Sequence, residues 1–548
     1  MKTSDELGVE LHRPAAFWAG VLLLIAGVLA HLPEFFMMRA LDHPMAGMPM
    51  SWTMLAGMAA ILAGLAAATW GLIPRLSALK SQRDMAGEMH IHAMDNARLS
   101  GAHFWLLTVL GVALVVDVMK PATLGFVMPG MRGEYGLTTA QVSLFPLSAL
   151  TGTTLGSIVW GLMADRVGRR ATILLASLFF IATSICGFMP SFGWNMFMCF
   201  CMGLSAGGML PIVYALMAET VPARMRGWLV IVHGGLGTIC GYLVASGLAA
   251  LFEPAYTWRI LWFFGLPTGL AIIALNRWIP ESPRFLLQRG DAAAAEAVTR
   301  RFGIVVERQA LTRREAVMAV MAAAGARMSG LARLRSLFKP PLLGQSLTVL
   351  LYGVGWGLVN WGFLTFLPII LRDAGFPPGS ASVLLFQASL AAVPGVVLVA
   401  WLYGKWSSRR TMALFAALTF AVMMTFAVLS PGLAAMGHTT ILLTTMGLMV
   451  ASTAVIAMLS PYAAEVYPTR LRGTGSGFAA GASKLGGMVG PPAMALLLSA
   501  AATPLIPIAA MGVPIGLAAL VLAFTGVETR GRGIDQISQR TRLESRPE

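Results

Sequence analysis

Two ionisable side chains stand inside an apolar stretch of the chain, where a charge has little water to stabilise it. The stretch reads FWLLTVLGVALVVDVMKPATLGFVMPG and contains Asp117 and, three residues later on the same helical face, Lys120. At a helical rise of ~1.5 Å per residue, Asp117 lies about 20 Å from the start of the stretch. Pro121 has no N–H group, so the carbonyl of Asp117 loses its helical partner. The sequence therefore predicts a carboxylate, an ammonium group and a free carbonyl at one kink.

A second intramembrane charge is predicted at Lys484, in the segment Gly-Ala-Ser-Lys-Leu-Gly-Gly. The apolar span around it starts near Gly473, which places Lys484 about 16 Å along a helix. Charged groups at such depth are costly and mark substrate or ion sites. One acid and two amines predict a cationic pocket that suits an anionic substrate such as a carboxylate. A purely structural pair of Asp117 and Lys120 is the alternative.

A carboxylic acid in apolar surroundings can carry a proton near neutral pH. We therefore expect Asp117 to couple protons to transport, with its protonation freeing Lys120 and Lys484 to hold a substrate carboxylate. Trp356 and Asn360 share a helical face at i and i+4 and could stack on and hydrogen-bond a planar substrate. The further binding candidates are Gln387 and Tyr214. Ordinary packing between helices is the alternative for each of these four neutral side chains.

The composition requires a bilayer around these residues. Of the 548 residues, 57% are hydrophobic and 11% are charged, and the mean hydropathy is +0.75, whereas a soluble chain carries about 25% charged residues. Apolar runs of about 20 residues recur about fourteen times along the chain, and all are expected to be helices. This pattern excludes soluble, disordered and nucleic-acid-binding proteins. The sequence shows no nucleophile–base spacing and no P-loop lysine, so we do not expect an enzyme.

Basic residues concentrate in alternate loops, which predicts the orientation of the chain. Arg75, Arg98, Arg166 and Arg300 are examples of this bias. Both termini are therefore expected to be cytoplasmic, in the inner membrane of a bacterium. The first apolar run follows a segment with acidic residues and no clear A-x-A site, so we expect a retained span rather than a cleaved signal peptide.

An internal repeat divides the chain, because A-E-x-x-P-x-R-x-R-G occurs at residues 218–227 and again at 464–473. Such duplication is typical of secondary transporters, whose substrate site forms between the repeats. The predicted organisation is a two-helix extension (1–102), a six-helix bundle (103–284), a cytoplasmic linker (285–340), a second six-helix bundle (341–531) and a cytoplasmic tail (532–548).

Several motifs resemble those of the major facilitator superfamily. Residues 161–170, GLMADRVGRR, resemble its G-x-x-x-D-R-x-G-R-R loop between the second and third spans, whereas the counterpart at residues 404–410 has lost the acid. Residues 280–284, PESPR, are similar to a motif of its sugar porters. Residues 125–129, GFVMP, resemble the aromatic acid:proton symporter branch, in which a second acid usually stands where this chain has Lys120. The resemblance implies an all-α core of twelve spans with alternating access, here preceded by two additional helices.

The resemblance also implies a conformational latch that holds the outward-open state. A carboxylate at a helix end can pair with arginines and face the positive end of a neighbouring helix. The expected members are Gly161, Asp165, Arg166, Gly168, Arg169, Arg170, Glu219, Arg224, Arg226, Glu465, Arg470 and Arg472. The alternative is that these arginines only anchor the orientation.

The extension carries methionines and histidines at spacings that resemble copper-binding stretches, since thioethers and imidazoles are soft ligands. The candidate ligands are His43, Met45, Met48, Met50, His90 and His92. Methionine-rich packing at a bilayer edge is the alternative.

These observations predict a secondary active transporter that couples protons to the symport of a small organic anion, aromatic or another carboxylate. We expect a monomer in a lipid bilayer, with an anionic small-molecule substrate, no nucleic-acid partner and no cofactor beyond a proton gradient. The alternatives are a copper-related transporter that uses the extension, and a membrane sensor on the same fold that does not transport.

Overall fold

The computed structural model describes residues 12–73, 99–289, 291–303, 330–340, 342–377, 379–435, 437–468 and 471–529, and these residues contain helices but no strands. Thirteen of the described helical segments are long and apolar enough to cross a membrane. A further helix of 29 residues, Arg472–Ala500, is rich in glycine and contains Lys484. The expected all-α membrane architecture is thereby confirmed.

The chain divides into two compact units. The first comprises Met1–Arg226, Cys240–Arg308 and Pro378–Val383, and the second comprises Gly227–Ile239, Gln309–Pro377 and Leu384–Glu548. The extension supplies α1 (Pro14–Leu29), α2 (Leu32–Ala40) and α3 (Trp52–Leu72). The following helices are α4 (Gly101–Glu134), α5 (Thr139–Val167), α6 (Arg169–Ala182), α7 (Phe192–Ala206), α8 (Met209–Thr220), α9 (Ala223–Tyr256) and α10 (Gly265–Leu275). Short 3-10 helices occur at Thr183–Phe188, Trp258–Trp262 and Asn276–Trp278.

Two short helices, α11 (Pro283–Gln288) and α12 (Ala292–Arg301), follow the sixth core span. The later helices are α13 (Gly330–Leu337), α14 (Leu343–Gly357), α15 (Leu367–Asp373), α16 (Ser380–Lys405), α17 (Ser408–Leu429), α18 (His438–Val466), α19 (Arg472–Ala500) and α20 (Leu505–Thr525). A π-helix, Leu358–Leu364, separates α14 from α15, and a 3-10 helix, Ser430–Ala435, follows α17.

Glycines allow the extension helices α1 and α3 to pack backbone against backbone. A Cβ atom on Gly64 would lie 2.7 Å from the carbonyl oxygen of Gly20 and 2.8 Å from the amide nitrogen of Leu24. In a bilayer, where the hydrophobic effect does not drive helices together, small residues allow helices to approach closely. Both helices also contact α6, so the extension belongs structurally to the first unit.

The loop between α2 and α3, with the end of α2, bonds the extension to the ends of three helices of the first unit. We call residues 39–50 the strap. The Arg39 Nε donates to the carbonyl of Ala255 at 3.1 Å, and the amide of Gly47 donates to Pro190 O at 2.8 Å. The amide of Met45 donates to Oε1 of Glu134 at 3.1 Å. The strap therefore joins the ends of α4, α6 with its 3-10 continuation, and α9.

The packing of the extension generates a prediction. Replacing Gly64 by valine should force α1 away from α3, because the added side chain meets the backbone of α1. We expect a destabilisation of about 1–3 kcal/mol, measured as a lower melting temperature of the purified protein in detergent. The exposed neighbour on the same helix supplies a matched control, Ala63→Val, which should melt like the wild type. Equal melting temperatures of the two variants would contradict the close packing.

Candidate functional site

Asp117 and Lys120 are both buried in α4, with 6% and 3% of their surfaces exposed. The Lys120 ammonium group donates to the carbonyl of Phe180 and to the hydroxyl of Thr183 at 3.1 Å. It also lies 4.8 Å from the centre of the Phe180 ring. The structure therefore places this cation against the third core span, where a carbonyl, a hydroxyl and an aromatic face stabilise it.

The space for Lys120 depends on a glycine in the sixth core span. A Cβ atom on Gly265 would lie 2.5 Å from Nζ of Lys120 and 2.5 Å from the hydroxyl oxygen of Ser184. The ammonium group is thus enclosed by α4, α6 with its 3-10 continuation, and α10. The sequence predicted the burial of Lys120 but not these partners, since they are distant along the chain.

Lys484 is half-buried in α19, the helix that packs most closely on α14. A Cβ atom on Gly353 would lie 2.8 Å from the Cβ of Ala482, and one on Gly357 would lie 2.5 Å from the amide nitrogen of Gly487. The two backbones are therefore in contact on either side of Lys484. This contact fixes the position of Lys484 along α14, the helix that carries Tyr352 and Trp356.

Two hydrogen-bond donors of α14 are buried without a protein partner. Among the described residues, the indole N–H of Trp356 and the hydroxyl of Tyr352 have no hydrogen-bond partner. Trp356 is 8% exposed and Tyr352 is 1% exposed. Unpartnered buried donors are rare in native proteins, and a bound ligand or water is the usual reason for them.

Asn360 lies in the π-helix that follows α14 and is 4% exposed. Its carbonyl accepts from the amide of Thr365 at 3.2 Å and from the Thr365 hydroxyl at 3.2 Å. A Cβ atom on Gly490 of α19 would lie 2.8 Å from the amide nitrogen of Gly362. Single π-turns occur frequently at functional sites, and no sequence signal indicated this one.

The remaining neutral candidates are less buried. Gln387 is exposed on α16, and Tyr214 is half-buried on α8. The candidate substrate residues are consequently distributed over both units, with Asp117, Lys120 and Tyr214 in the first and Trp356, Asn360, Gln387 and Lys484 in the second.

The predicted latch residues of the first unit come together around Arg169. Its Nη2 lies 3.6 Å from Oδ1 of Asp165 and 3.6 Å from Oε1 of Glu219. Gly168, with φ of 107°, caps the start of α6, in a region of backbone conformation that favours glycine. The Asp165 side chain is 74% exposed and that of Glu219 is 10% exposed, so the pair with Glu219 is the better shielded from solvent.

The other members of the predicted latch are placed as follows. Gly161 is half-buried, Arg166 is exposed and Arg170 is buried. Arg472 is half-buried at the start of α19. Arg470 lies outside the described residues, as do the side chains of Arg224 and Arg226. We call the end of each unit that carries these motifs its basic end.

Glu281, in the PESPR motif, is a buried acid of the basic end whose contacts the sequence did not indicate. It is 1% exposed, and its carboxylate accepts from the amides of Arg169 at 2.8 Å, Arg170 at 3.3 Å and Ser282 at 2.9 Å. Burial raises the pKa of Glu281, whereas these amides and the Arg169 charge lower it. A carboxylate at the start of α6 complements the helix dipole. The motif PESPR was the signal, but it does not state which helix the acid contacts.

The second unit repeats this arrangement with a different chemistry. Glu528 accepts from the amide of Ser408 at 3.0 Å, at the start of α17, as Glu281 does at the start of α6. Thr529 donates to Glu465 at 2.6 Å, as Ser282 donates to Glu219.

At the basic end of the second unit, hydroxyl groups supply several of the described contacts to glutamates. Ser408 opens α17 as Arg169 opens α6, and its hydroxyl donates to Glu528 at 2.6 Å. The hydroxyl of Tyr403 donates to Glu465 at 3.0 Å. The lost acid in residues 404–410 thus accompanies hydroxyl donors to Glu465 and Glu528.

The strap shows how the candidate copper ligands are placed. Met45 is buried, Met48 and Met50 are half-buried, and His43 is exposed. His90 and His92 lie outside the described residues. Within the described part of the chain, no three His, Cys, Asp or Glu side chains are grouped as a metal site. Copper binding by the extension stays a prediction.

A repeated sequence motif and charged side chains within apolar helices are typical of secondary membrane transporters. A sequence model of the Major Facilitator Superfamily matches residues 107–491. The chain therefore belongs to the major facilitator superfamily, and it is a multi-pass membrane transporter rather than an enzyme.

The relatives include transporters of aromatic carboxylates. The chain is 25% identical to the niacin transporter NiaP of Acinetobacter baylyi over 73% of its own length and 88% of the relative. It is 26% identical to the 4-hydroxybenzoate transporter PcaK of Pseudomonas putida, over 76% and 92%. The identity to a gallate transporter of the same species is 26%, over 72% and 86%. The xylose transporter XylE from E. coli shares the fold, with a TM-score of 0.62 at 18% identity, over 79% of this chain and 100% of XylE.

The contacts of Glu281 lead to a prediction about stability. Replacing Glu281 by alanine leaves three buried amides without their acceptor, which should cost at least about 1–3 kcal/mol. The matched control is Glu296→Ala, because Glu296 is 61% exposed in a surface pair with Arg300 and should change stability by less than about 1 kcal/mol. Melting temperatures in detergent measure both effects. A Glu281 variant as stable as the control would show that the acid does not hold α6.

Proposed function

We propose that the protein is a proton-coupled symporter of a small organic anion, most simply an aromatic carboxylate. The observation that carries the proposal is the buried carboxylate of Asp117 in α4, a helix long and apolar enough to cross a membrane, together with the half-buried Lys484 in α19. The relatives named for niacin, 4-hydroxybenzoate and gallate support this substrate class. The energy source is the proton gradient, and no cofactor is required.

The proposed orientation places the basic ends of both units and both termini in the cytoplasm. The arginine bias of these ends supports it. The proposed location is the inner membrane of a bacterium, and the proposed working form is a monomer that binds its substrate within one chain.

In the proposed binding mode, the Lys484 ammonium group pairs with the substrate carboxylate. The indole N–H of Trp356 and the hydroxyl of Tyr352 are two donors of α14 that lack a hydrogen-bond partner among the described residues, and they would bond polar substituents of the substrate. The rings of both residues offer flat surfaces for an aromatic substrate. Asn360, Gln387 and Tyr214 complete the proposed polar contacts.

In the proposed cycle, the protonation state of Asp117 controls the binding of the substrate. Protonation of Asp117 from outside neutralises the acid, so that Lys484 and Lys120 attract the substrate carboxylate. After the protein opens inward, Asp117 loses its proton. Its carboxylate then pairs with a lysine and displaces the substrate. Lys120 is 3% exposed and bonded to Phe180 and Thr183, whereas Lys484 is half-buried. By exposure, Lys484 is the more accessible of the two amines.

The basic ends would stabilise the outward-open state in this cycle. Arg169 joins Asp165 and Glu219 within the first unit, and Glu465 is held by Tyr403 and Thr529 within the second. These contacts keep the cytoplasmic ends of the core spans ordered, which supports a latch that is broken when the protein opens inward.

The role of Asp117 is tested by replacing it with asparagine. The variant should lose accumulation of labelled nicotinate, 4-hydroxybenzoate or gallate against a gradient, because no proton can be carried. It should retain exchange of substrate across the membrane of proteoliposomes. The control is Asp291→Asn, since Asp291 caps α12 outside the spans and asparagine caps equally well. Full uphill accumulation by the Asp117 variant under an imposed pH gradient would end the proposal.

The role of Lys484 is tested by comparing an acid with its amide. Lys484→Gln should weaken the binding of nicotinate at least about tenfold, corresponding to ~1.4 kcal/mol, and should leave nicotinamide binding nearly unchanged. Competition against substrate exchange measures both affinities. Lys405→Gln, at the exposed end of α16, controls for the loss of a positive charge. Equal weakening of acid and amide would show that Lys484 does not recognise the carboxylate.

A further inference from the structure

A groove runs along the outside of the second unit between α17 and α20. It has a volume of about 600 Å³, and its lining residues are Arg409, Arg410, Ala413, Leu414, Ala417, Phe420, Val513, Gly516, Leu517, Ala519, Leu520 and Ala523. The two arginines lie at one end, and every other lining residue is apolar. The groove therefore has a charged mouth at the basic end and a long apolar interior.

Small side chains leave the space for the groove, and the ring of Phe420 ends it. Ala417 is exposed within it, and Leu517 and Leu520 on its α20 wall are 49% and 58% exposed. At the far end, the Phe420 ring covers Gly516, where a Cβ atom would lie 2.7 Å from Cδ2 of Phe420. Large apolar side chains exposed on membrane-spanning helices face lipid, so the interior of the groove is accessible to acyl chains.

The length of the groove matches one leaflet of a bilayer. From Arg410 to Phe420, α17 advances ten residues, or about 15 Å at the helical rise. The hydrocarbon core of a bilayer is about 30 Å thick, so the groove extends from the headgroup level to about the middle. A single lipid tail of the leaflet at the basic end is the occupant that this depth fits.

The mouth has the charge that an anionic headgroup requires. The Arg410 side chain is exposed, and Arg409 Nη1 approaches the Gly526 carbonyl at 3.4 Å, at the end of α20. Both arginines stand in the first turn of α17, whose positive dipole end favours anions. Trp406, 43% exposed and just before α17, is a residue type that concentrates at the membrane interface.

We propose that this groove binds an anionic phospholipid, with its phosphate at Arg409 and Arg410 and one acyl chain between α17 and α20. The site depends on the membrane-spanning fold alone and not on the proposed substrate. Its mouth adjoins Ser407 and Ser408, whose hydroxyls hold Glu528. A lipid bound there contacts the start of α17 and stabilises the basic end of the second unit.

The test uses the full chain, purified in detergent, and counts bound phosphatidylglycerol and phosphatidylcholine by native mass spectrometry. The wild type should retain phosphatidylglycerol in preference. Arg410→Gln should weaken phosphatidylglycerol binding about fivefold, the effect of one arginine near an anionic surface. Ala417→Phe should weaken the binding of both lipids, because the ring fills the groove without entering the protein interior. A melting-temperature increase on addition of phosphatidylglycerol should shrink in both variants.

Matched controls separate this site from general effects of charge and bulk. Arg277→Gln removes an exposed arginine beside Trp278 at the end of the sixth core span, and Ala391→Phe adds the same ring at an exposed position of α16. Both should bind phosphatidylglycerol as the wild type does. Soluble glycerol 3-phosphate should not compete, since it lacks the acyl chain. Unchanged binding in Arg410→Gln and Ala417→Phe, equal retention of the two lipids, or full competition by glycerol 3-phosphate would overturn the proposal.

Discussion

The cost of burying a charge in a bilayer governs the arrangement of this protein. A charged side chain at membrane depth costs several kcal/mol unless its surroundings compensate it. Lys120 is compensated by a carbonyl, a hydroxyl and an aromatic face, and the space for it exists because residue 265 is glycine. Beyond the end of the sixth core span, the buried Glu281 accepts from the amides of Arg169 and Arg170 at the start of α6 and from the amide of Ser282. In each case the neighbouring helices are fixed relative to one another by the charge they share.

The same constraint explains why the two basic ends differ while keeping one plan. In both units an acid caps the helix that follows the loop, and a hydroxyl next to that acid donates to a second glutamate. The first unit adds Arg169 between Asp165 and Glu219, whereas the second unit surrounds Glu465 with the hydroxyls of Tyr403 and Thr529. A hydrogen bond from a hydroxyl to a carboxylate is charge-assisted, as is a bond from a guanidinium group. The two ends therefore hold their second glutamate with different donors.

Much of the fold could be predicted from the sequence because the bilayer leaves few alternatives. Apolar runs must be helices, and the repeated A-E-x-x-P-x-R-x-R-G motif indicates two related halves. The family motifs led us to expect Asp165, Arg169 and Glu219 among the latch residues, but they did not indicate that Arg169 contacts Glu219. The partners of Lys120 and the contacts of Glu281 could not be predicted, because they depend on which helices are neighbours. The π-helix beside Asn360 has no periodicity signal, as it differs from an α-helix by one residue.

The extension acquires a role from the way it is attached. Alternating access is largely a rigid-body movement of one repeat against another, which requires that each repeat keep its own geometry. The α1–α3 hairpin packs on α6, and the strap bonds to Glu134, Pro190 and Ala255 at the end opposite the basic end. Glu134 is in turn paired with Arg259 at 2.8 Å and accepts from Trp258 at 2.9 Å. The strap contacts the spans of the first unit at one end and Glu281 contacts them at the other, so both ends of the unit that carries Asp117 are held by polar contacts.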